Sequence, residues 1–523
     1  MPRFFNTAGP CQPELHYMLP PERRLPELRG LIDRHLYFVV HAPRQTGKTT
    51  YFRSLAQALT SEGRYAALLT SCEVGQAAGG DVERGIEAVL GALRIAAENH
   101  LPEELRPPDP DPTAAGGFRL LDLLTRWSRQ CPRPVVLFLD EIDALFDNLL
   151  ISVLHQLRTG YADRPGKFPQ SVALVGLRDV RDYRRQVRPE VQSLGTSSPF
   201  NIKVESLTLP NFTADEVAEL YGQHTADTGQ PFTPEARALA FELTGGQPWL
   251  ANALARQAVE KLIPDRAVPI DAGVIEAAKE MLIQRRDTHL DSLIERLREP
   301  RIRRVIEPII AGEPLPSDLL DDDVRFALDL GLVVTTPQGL AIANPIYREV
   351  IPRALTSLLE QTLYLPRPSP GYIASDGRLR FDLLLADFRA FWCENAEPYL
   401  AQAPYSEAAA QLVFMAFLQK VVNGGGFIDR EYAVGSGRID LCIRWPHAEG
   451  VERWAVELKV WRDGRPDPLP QGLKQLGSYL DRLGLDRGTL IVFDGRKGAE
   501  PLSGRCAMEE VEREERKIEV VRL

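Results

Sequence analysis

The ten residues His41-Ala42-Pro43-Arg44-Gln45-Thr46-Gly47-Lys48-Thr49-Thr50 stand between an apolar run, Leu36-Tyr-Phe-Val-Val40, and an amphipathic stretch, Tyr51-Phe-Arg-Ser-Leu-Ala-Gln-Ala-Leu59. A buried strand, a tight loop and a helix in that order are the setting a phosphate-cradling loop requires. Backbone N–H groups of such a loop, with the positive end of the following helix, hold phosphate oxygens. Ala42, Pro43, Arg44, Gln45, Thr46, Gly47, Lys48, Thr49 and Thr50 are therefore the candidate nucleotide-contacting set, with Lys48 reaching the β/γ-phosphates and the Thr49 hydroxyl on Mg²⁺. One departure stands out: Ala42 occupies the place of the usual first glycine, which costs little unless that residue needs a positive φ.

Working outward, the chain alternates strands with helices: Tyr65–Thr70, a helix near 82–99, a Pro/Asp-rich loop, a helix near 118–130, then Pro134-Val-Val-Leu-Phe-Leu-Asp-Glu-Ile-Asp143. This alternation predicts a parallel sheet covered on both faces. Acids at the carboxyl end of the Val135–Leu139 run would meet the loop across the sheet edge, Asp140 holding Mg²⁺ and Glu141 polarising a water. Arg178 ends a further strand, Ser171–Leu177, where it would sense a γ-phosphate. It opens a run with Arg181, Arg184, Arg185 and Arg188 that reads either as an arginine finger or DNA contact or as a solvated loop. A last core strand lies within 199–210, and helices follow at 213–228, 233–243 and 248–262 around Thr244-Gly-Gly-Gln-Pro-Trp249. Residues 1–30 read as a strap, either over the core or across a base with Tyr17 stacking.

The phosphate loop, the Leu-Asp-Glu-Ile-Asp strand end and the Gly-Gly-Gln-Pro helix start resemble STAND-type ATPases of the AAA+ group over roughly residues 1–360. The opening stretch also resembles prokaryotic ATP-binding proteins with an AAA-like domain. The resemblance implies ATP and Mg²⁺ as cofactors. It also implies a Gly246-Gln247-Pro248 step that packs on the nucleotide and reports to a lid, and assembly into a homo-oligomer when ATP is bound. A helix near 317–331 and short strands at 332–335 and 340–342, followed by helix 345–358, resemble a winged helix. Such a domain binds DNA in some proteins and relays conformation in others; Asp321, Asp322 and Asp323 would repel DNA phosphates.

After the proline-rich linker 365–371 a second pattern begins. Phe427–Val434 and Arg438–Trp445 flank a Gly435-Ser-Gly437 turn, and Glu452–Val460 follows. Period two sets Asp440, Glu457 and Lys459 against the apolar residues of their strands, which predicts that they lie on the side away from the core. Two carboxylates and a lysine at one cleft suit one or two Mg²⁺ or Mn²⁺ ions and a water activated for phosphodiester attack. Asp440, sixteen intervening residues and Glu457-Leu-Lys459 resemble the PD-(D/E)XK nuclease motif. Glu407 stands at the place of that superfamily's first-helix acid, and Gln475 with Tyr479 resembles the QxxxY motif of RecB-like members.

The expected fold class is thus α/β: a parallel-sheet phosphate-loop core (31–210) behind the strap (1–30), a helical lid (211–290), a winged-helix domain (291–364) and a separate restriction-endonuclease-like domain (372–523). The expected function is an ATP-dependent switch controlling a metal-dependent nuclease. Its target is nucleic acid, DNA before RNA, in a setting such as defence against phage or mobile elements. The alternative is a regulatory ATPase whose nuclease-like domain only binds. The 523 residues exceed one core, and a formal net charge of −10 leaves any nucleic-acid contact to local basic patches. No apolar run is long enough to span a bilayer. Six cysteines without a CxxC pair argue against a disulfide framework or metal ribbon and fit a reducing cytoplasm.

Overall fold

In a computed structural model the chain is described except for residues 1–2, 112–113, 179–201, 286–292, 311–320, 338, 363–371, 403–408, 423–425, 435–436, 497, 500–501 and 514–515. Glu407, Arg181, Arg184, Arg185, Arg188 and the 365–371 linker lie outside the described residues. The remainder forms two compact units, residues 1–285 with 325–332, and residues 286–324 with 333–523.

The first unit is built on strands β1 (Tyr37–His41), β2 (Ala66–Ser71), β3 (Val135–Asp140), β4 (Ser171–Gly176) and β5 (Lys203–Thr208). All pair in parallel, in the order β2-β3-β4-β1-β5. Strands buried on both faces need apolar side chains at every position, which is why Val135–Leu139 reads as an unbroken apolar run. Odd residues of β1 (Tyr37, Val39) pack with Trp127, Leu149 and Phe168, while Phe38 and Val40 pack with Phe52 and Phe138 on the other face. Because β1 lies between β4 and β5, its carboxyl end opens at a point where neighbouring connections diverge, where α/β sheets bind ligands.

Helices Ala214–Thr228, Pro234–Thr244 and Pro248–Arg256 follow β5. Thr213 and Glu216 close the first with a reciprocal capping box, and Gly229 ends it in a left-handed turn. The N-terminal strap is pinned to these helices. Arg3 makes a two-pronged ion pair with Asp227, and the Trp249 indole donates to the Thr7 carbonyl at 2.8 Å. Tyr17 is buried among Phe5, Tyr221, His224 and Phe232, so the strap packs its aromatic residues into the protein and Tyr17 has no face left for a base.

In the second unit, helix Pro300–Ile310 and a hairpin, β6 (Val333–Thr336) and β7 (Gly339–Ile342), precede helix Pro345–Thr362. A six-stranded sheet follows, made of β8 (Phe427–Val434), β9 (Gly437–His447), β10 (Gly450–Trp461), β11 (Arg487–Asp494), β12 (Ala507–Arg513) and β13 (Arg516–Arg522), in the order β12-β13-β11-β10-β9-β8. Strands β8 to β10 form an antiparallel meander, whereas β10, β11 and β13 run parallel. Helix Leu469–Leu483 makes the crossover between β10 and β11 and lays Leu476, Tyr479 and Leu480 on one face of the sheet.

Two expectations need correction. Cys393 and Cys506, 113 residues apart, are joined in a disulfide, although the scattered cysteines argue against a disulfide framework; Cys11, Cys72, Cys131 and Cys442 form no disulfide. The side of the sheet carrying Asp440, Glu457 and Lys459 is not an open polar face. It is the face that helix Leu469–Leu483 covers, and Glu457 is 0% exposed. Alternation means polar-out only where one face of a sheet meets water. This sheet is packed on both faces, so period two separates two interiors.

Candidate functional site

Residues 42–47 join β1 to the helix Lys48–Ser61. Gln45 (φ 60°) and Gly47 (φ 87°) take the left-handed conformations that turn the loop, and Gly47 starts helix Lys48–Ser61. Ala42 is not among the positive-φ residues, so the missing first glycine costs no backbone strain. Lys48 Nζ donates to the carbonyls of Ala42 at 2.7 Å and Pro43 at 2.8 Å. Burial pushes its pKa down to about 8 against the pull of Asp140, Asp143 and Glu141. The Thr49 hydroxyl donates to Asp140 Oδ2 at 2.6 Å, so the two residues expected on Mg²⁺ are in contact across the sheet edge. Burial raises the Asp140 pKa, and both groups are hard oxygen donors that suit Mg²⁺. Glu141 (φ 53°) accepts from the Ser71 hydroxyl at 3.0 Å, and burial raises its pKa too.

Further side chains reach this loop and its neighbourhood from other parts of the chain. Arg24, from the strap, donates from Nη1 to the Thr46 carbonyl at 2.8 Å and from Nη2 to the Pro210 carbonyl, with its guanidinium over the Phe212 ring. Burial pushes its pKa down to about 10. Twenty-two residues separate Arg24 from Thr46, and no spacing marks it. Gln247 Nε2 donates to the Gln45 carbonyl at 3.5 Å while its Oε1 caps the helix that begins with Pro248. Arg178 is buried, paired with Asp329 Oδ2 at 3.2 Å and stacked on Phe326. Asp329 also lies 4.0 Å from His41 Nδ1.

Removing two charge-assisted bonds from the loop by Arg24→Gln is expected to raise the Kd for ATP about tenfold, read by titration with a fluorescent ATP analogue. An unchanged Kd would mean that Arg24 does not shape the loop. Gly246 (φ 69°) is tighter still, since an added Cβ would lie 1.9 Å from the Phe212 carbonyl oxygen. Gly246→Ala should lower the urea-unfolding free energy by about 2–4 kcal/mol, from strain plus displaced backbone.

In the second unit, Asp440 and Glu457 are brought together because Val456 pairs with Leu441, which sets Glu457 opposite Asp440. Asp440 Oδ2 accepts from the Leu458 N–H at 2.7 Å, and Lys459 Nζ donates to Glu457 Oε1 at 2.7 Å. Burial and then the charge of Asp440 push the Glu457 pKa up to about 7. Burial also raises that of Asp440. Burial pulls the Lys459 ammonium down, but Asp440 and Glu457 outweigh it, so its pKa sits above the ordinary lysine value. Glu457 Oε2 is buried with no hydrogen-bond partner, an orphaned anionic oxygen whose cost a cation would offset. The donor set therefore fits a hard divalent cation, although among the described residues no group of three or more His, Cys, Asp or Glu gathers there. Gln475 Nε2 donates to the Tyr479 hydroxyl at 3.1 Å on the covering helix.

No family model matches the sequence, and no curated protein matches it. Among solved structures, the Walker-type ATPase paby2304 of Pyrococcus abyssi is 13% identical at a TM-score of 0.48, covering 66% of this chain and 99% of its own. The Thermotoga maritima RuvB Holliday junction branch migration motor is 17% identical at 0.34, covering 63% and 92%. Cdc6p from Pyrobaculum aerophilum is 15% identical at 0.35, covering 66% and 96%. No helix among the described residues is long and apolar enough to cross a membrane.

Proposed function

We propose that the protein is an ATP-dependent switch controlling a metal-dependent nuclease that cleaves nucleic acid, DNA before RNA. The observation that carries the nuclease half is the cluster of Asp440, Glu457 and Lys459, in which Glu457 is fully buried with an orphaned oxygen and Asp440 and Lys459 are partly buried. Three charged groups held beside one another, one of them fully buried, are costly to fold, and that cost is usually borne at working sites. The ATP half rests on Lys48, Thr49 and Asp140, meeting at the carboxyl edge of a parallel sheet.

A divalent cation held by Asp440 and Glu457, Mg²⁺ or Mn²⁺, would supply Lewis-acid polarisation of a phosphodiester and a more acidic water. The chain's own residues do the remaining work. Lys459 offers a positive charge to the developing phosphorane oxygens, Glu457 fixes the lysine by their ion pair, and the covering helix with Gln475 and Tyr479 excludes water from the inner wall. In the first unit Lys48 would contact the β/γ-phosphates, Thr49 and Asp140 would hold Mg²⁺, and Glu141 would orient the attacking water. Arg178, paired with Asp329, would answer a γ-phosphate, and Gln247 with Pro248 would pass the loop's state to the lid. Defence against phage or mobile elements, and assembly with further copies of the chain, are roles this layout would suit.

A second reading, a regulatory ATPase whose nuclease-like domain binds without cutting, is favoured by one observation: no third carboxylate or imidazole joins Asp440 and Glu457 among the described residues. The deciding experiment incubates the full chain with supercoiled, linear and single-stranded DNA and with RNA, in Mg²⁺ or Mn²⁺, with and without ATP. Metal-dependent cleavage of any of the four, altered by ATP, is the expected result. Intact ATP turnover with every substrate uncut would favour the second reading.

A further inference from the structure

At the carboxyl ends of the parallel strands β10, β11 and β13 lies a cavity of about 190 Å³, lined by Trp461, Asp494, Arg496, Arg505, Arg522 and Leu523. That edge is where parallel sheets present their ligand crevices. Three guanidinium groups converge on a space this small. Arg496 stacks 3.4 Å above the Trp461 ring and makes a two-pronged pair with Asp494 at 2.7 and 2.9 Å. Arg522 pairs with Asp467 at 3.0 Å. Arg505 donates from Nη1 to the Asp494 carbonyl, while its buried Nε has no partner; among the described residues no carboxylate lies within ion-pair distance of it. Two side-chain carboxylates thus face three arginines, and the third guanidinium is satisfied only in part. Leu523, whose carbonyl accepts from the Asp494 N–H, closes the wall with its main chain.

We infer that this cavity is a phosphate-binding site, taking a phosphate group carried on a nucleotide. Planar forks of N–H donors match tetrahedral phosphate oxygens in pairs, which ammonium groups cannot do. The Trp461 indole, already holding a guanidinium, gives the site a flat wall beside the anion. Its place ties it to the trio: Glu457, Lys459 and Trp461 alternate along one face of β10, so Trp461 stands about 7 Å beyond Lys459 at the usual strand rise. A strand whose scissile phosphate met Glu457 and Lys459 would carry a neighbouring phosphate into the arginines. This deepens the nuclease reading and rests on it for that substrate; the cavity's taste for phosphate rests on the arginines alone.

The test uses the full-length chain with Glu457→Gln throughout and reads binding alone, so it stands whether or not the natural chain cuts. Fluorescence anisotropy would follow a labelled single-stranded oligonucleotide bearing a 5′-phosphate and the same strand with a 5′-hydroxyl, with a mononucleotide as competitor. Arg505→Gln and Arg522→Gln are expected to weaken binding about tenfold each and to lower the salt slope by about 0.7 for each phosphate no longer neutralised. Arg505→Lys, which keeps the charge without the fork, should recover part of the affinity. Weakening confined to the phosphorylated strand would identify a terminal phosphate as the source. Equal weakening on both strands would identify an internal diester, and mononucleotide competition present in the parent chain but lost in the glutamine variants, with both strands bound as before, would identify a free nucleotide. Affinity for all three probes unchanged in both glutamine variants, with unaltered thermal unfolding, would overturn the proposal.

Discussion

Glu457→Gln is expected to lower metal-dependent cleavage by about 10³-fold, the scale seen when one charged or dipolar group is removed from a reacting centre. The substitution keeps the shape of a side chain that is 0% exposed and removes only its charge. Lys459 keeps an oxygen to donate to, so the lysine stays in place while the anionic donor is lost. Folding should not suffer. The carboxylate is held at about 7 by burial and by Asp440, so its charged form is already disfavoured; a neutral amide relieves that cost, and Asp440 still balances the Lys459 ammonium. The thermal midpoint of the variant should therefore equal or exceed that of the natural chain, with ATP turnover unchanged. Cleavage that persisted at the natural rate in Glu457→Gln would remove this trio from the chemistry.

Lys48→Ala carries the second large effect. It deletes a partly buried ammonium that bonds two carbonyls of its own loop and that, on the proposed function, would carry its positive charge to phosphate oxygens. ATP affinity should fall by about 100-fold or more, and steady-state hydrolysis should drop below detection. If the switch governs the nuclease, cleavage by Lys48→Ala loses its response to ATP and settles at one level, whether fully on or fully off. Radiolabelled ATP turnover beside the cleavage assay separates the two halves: turnover intact in Lys48→Ala would sink the phosphate loop, and an ATP-responsive Lys48→Ala would sink the coupling.

Much of the first unit is legible in the sequence because its signals are local. A strand buried on both faces must be apolar throughout, and a phosphate loop must turn into a helix at Gly47-Lys48. Not every residue around this loop is legible. Arg24, which bonds the loop, and Asp329, which pairs with Arg178, carry no spacing that betrays them, whereas Gln247 belongs to the Gly-Gln-Pro step that the resemblance marks. In the second unit the strands and the Asp440–Glu457 pairing follow from the hairpin and period two. The period can say which residues share a face, but not that helix Leu469–Leu483 covers that face. The Cys393–Cys506 bond is hidden by the same kind of distance.

The way residues 325–332 cluster with the first unit bears on how this protein can be taken apart. A fragment ending at Arg285 would keep Arg178 but lose Asp329 and Phe326, leaving a buried guanidinium without its counter-charge or its ring. It would also lose Gly331, so close to Pro43 of the phosphate loop that an added Cβ would lie 2.7 Å from that ring. Cutting the gene into two halves would thus damage the half it was meant to isolate. Testing the two proposed sites one at a time calls for single substitutions in the uncut chain.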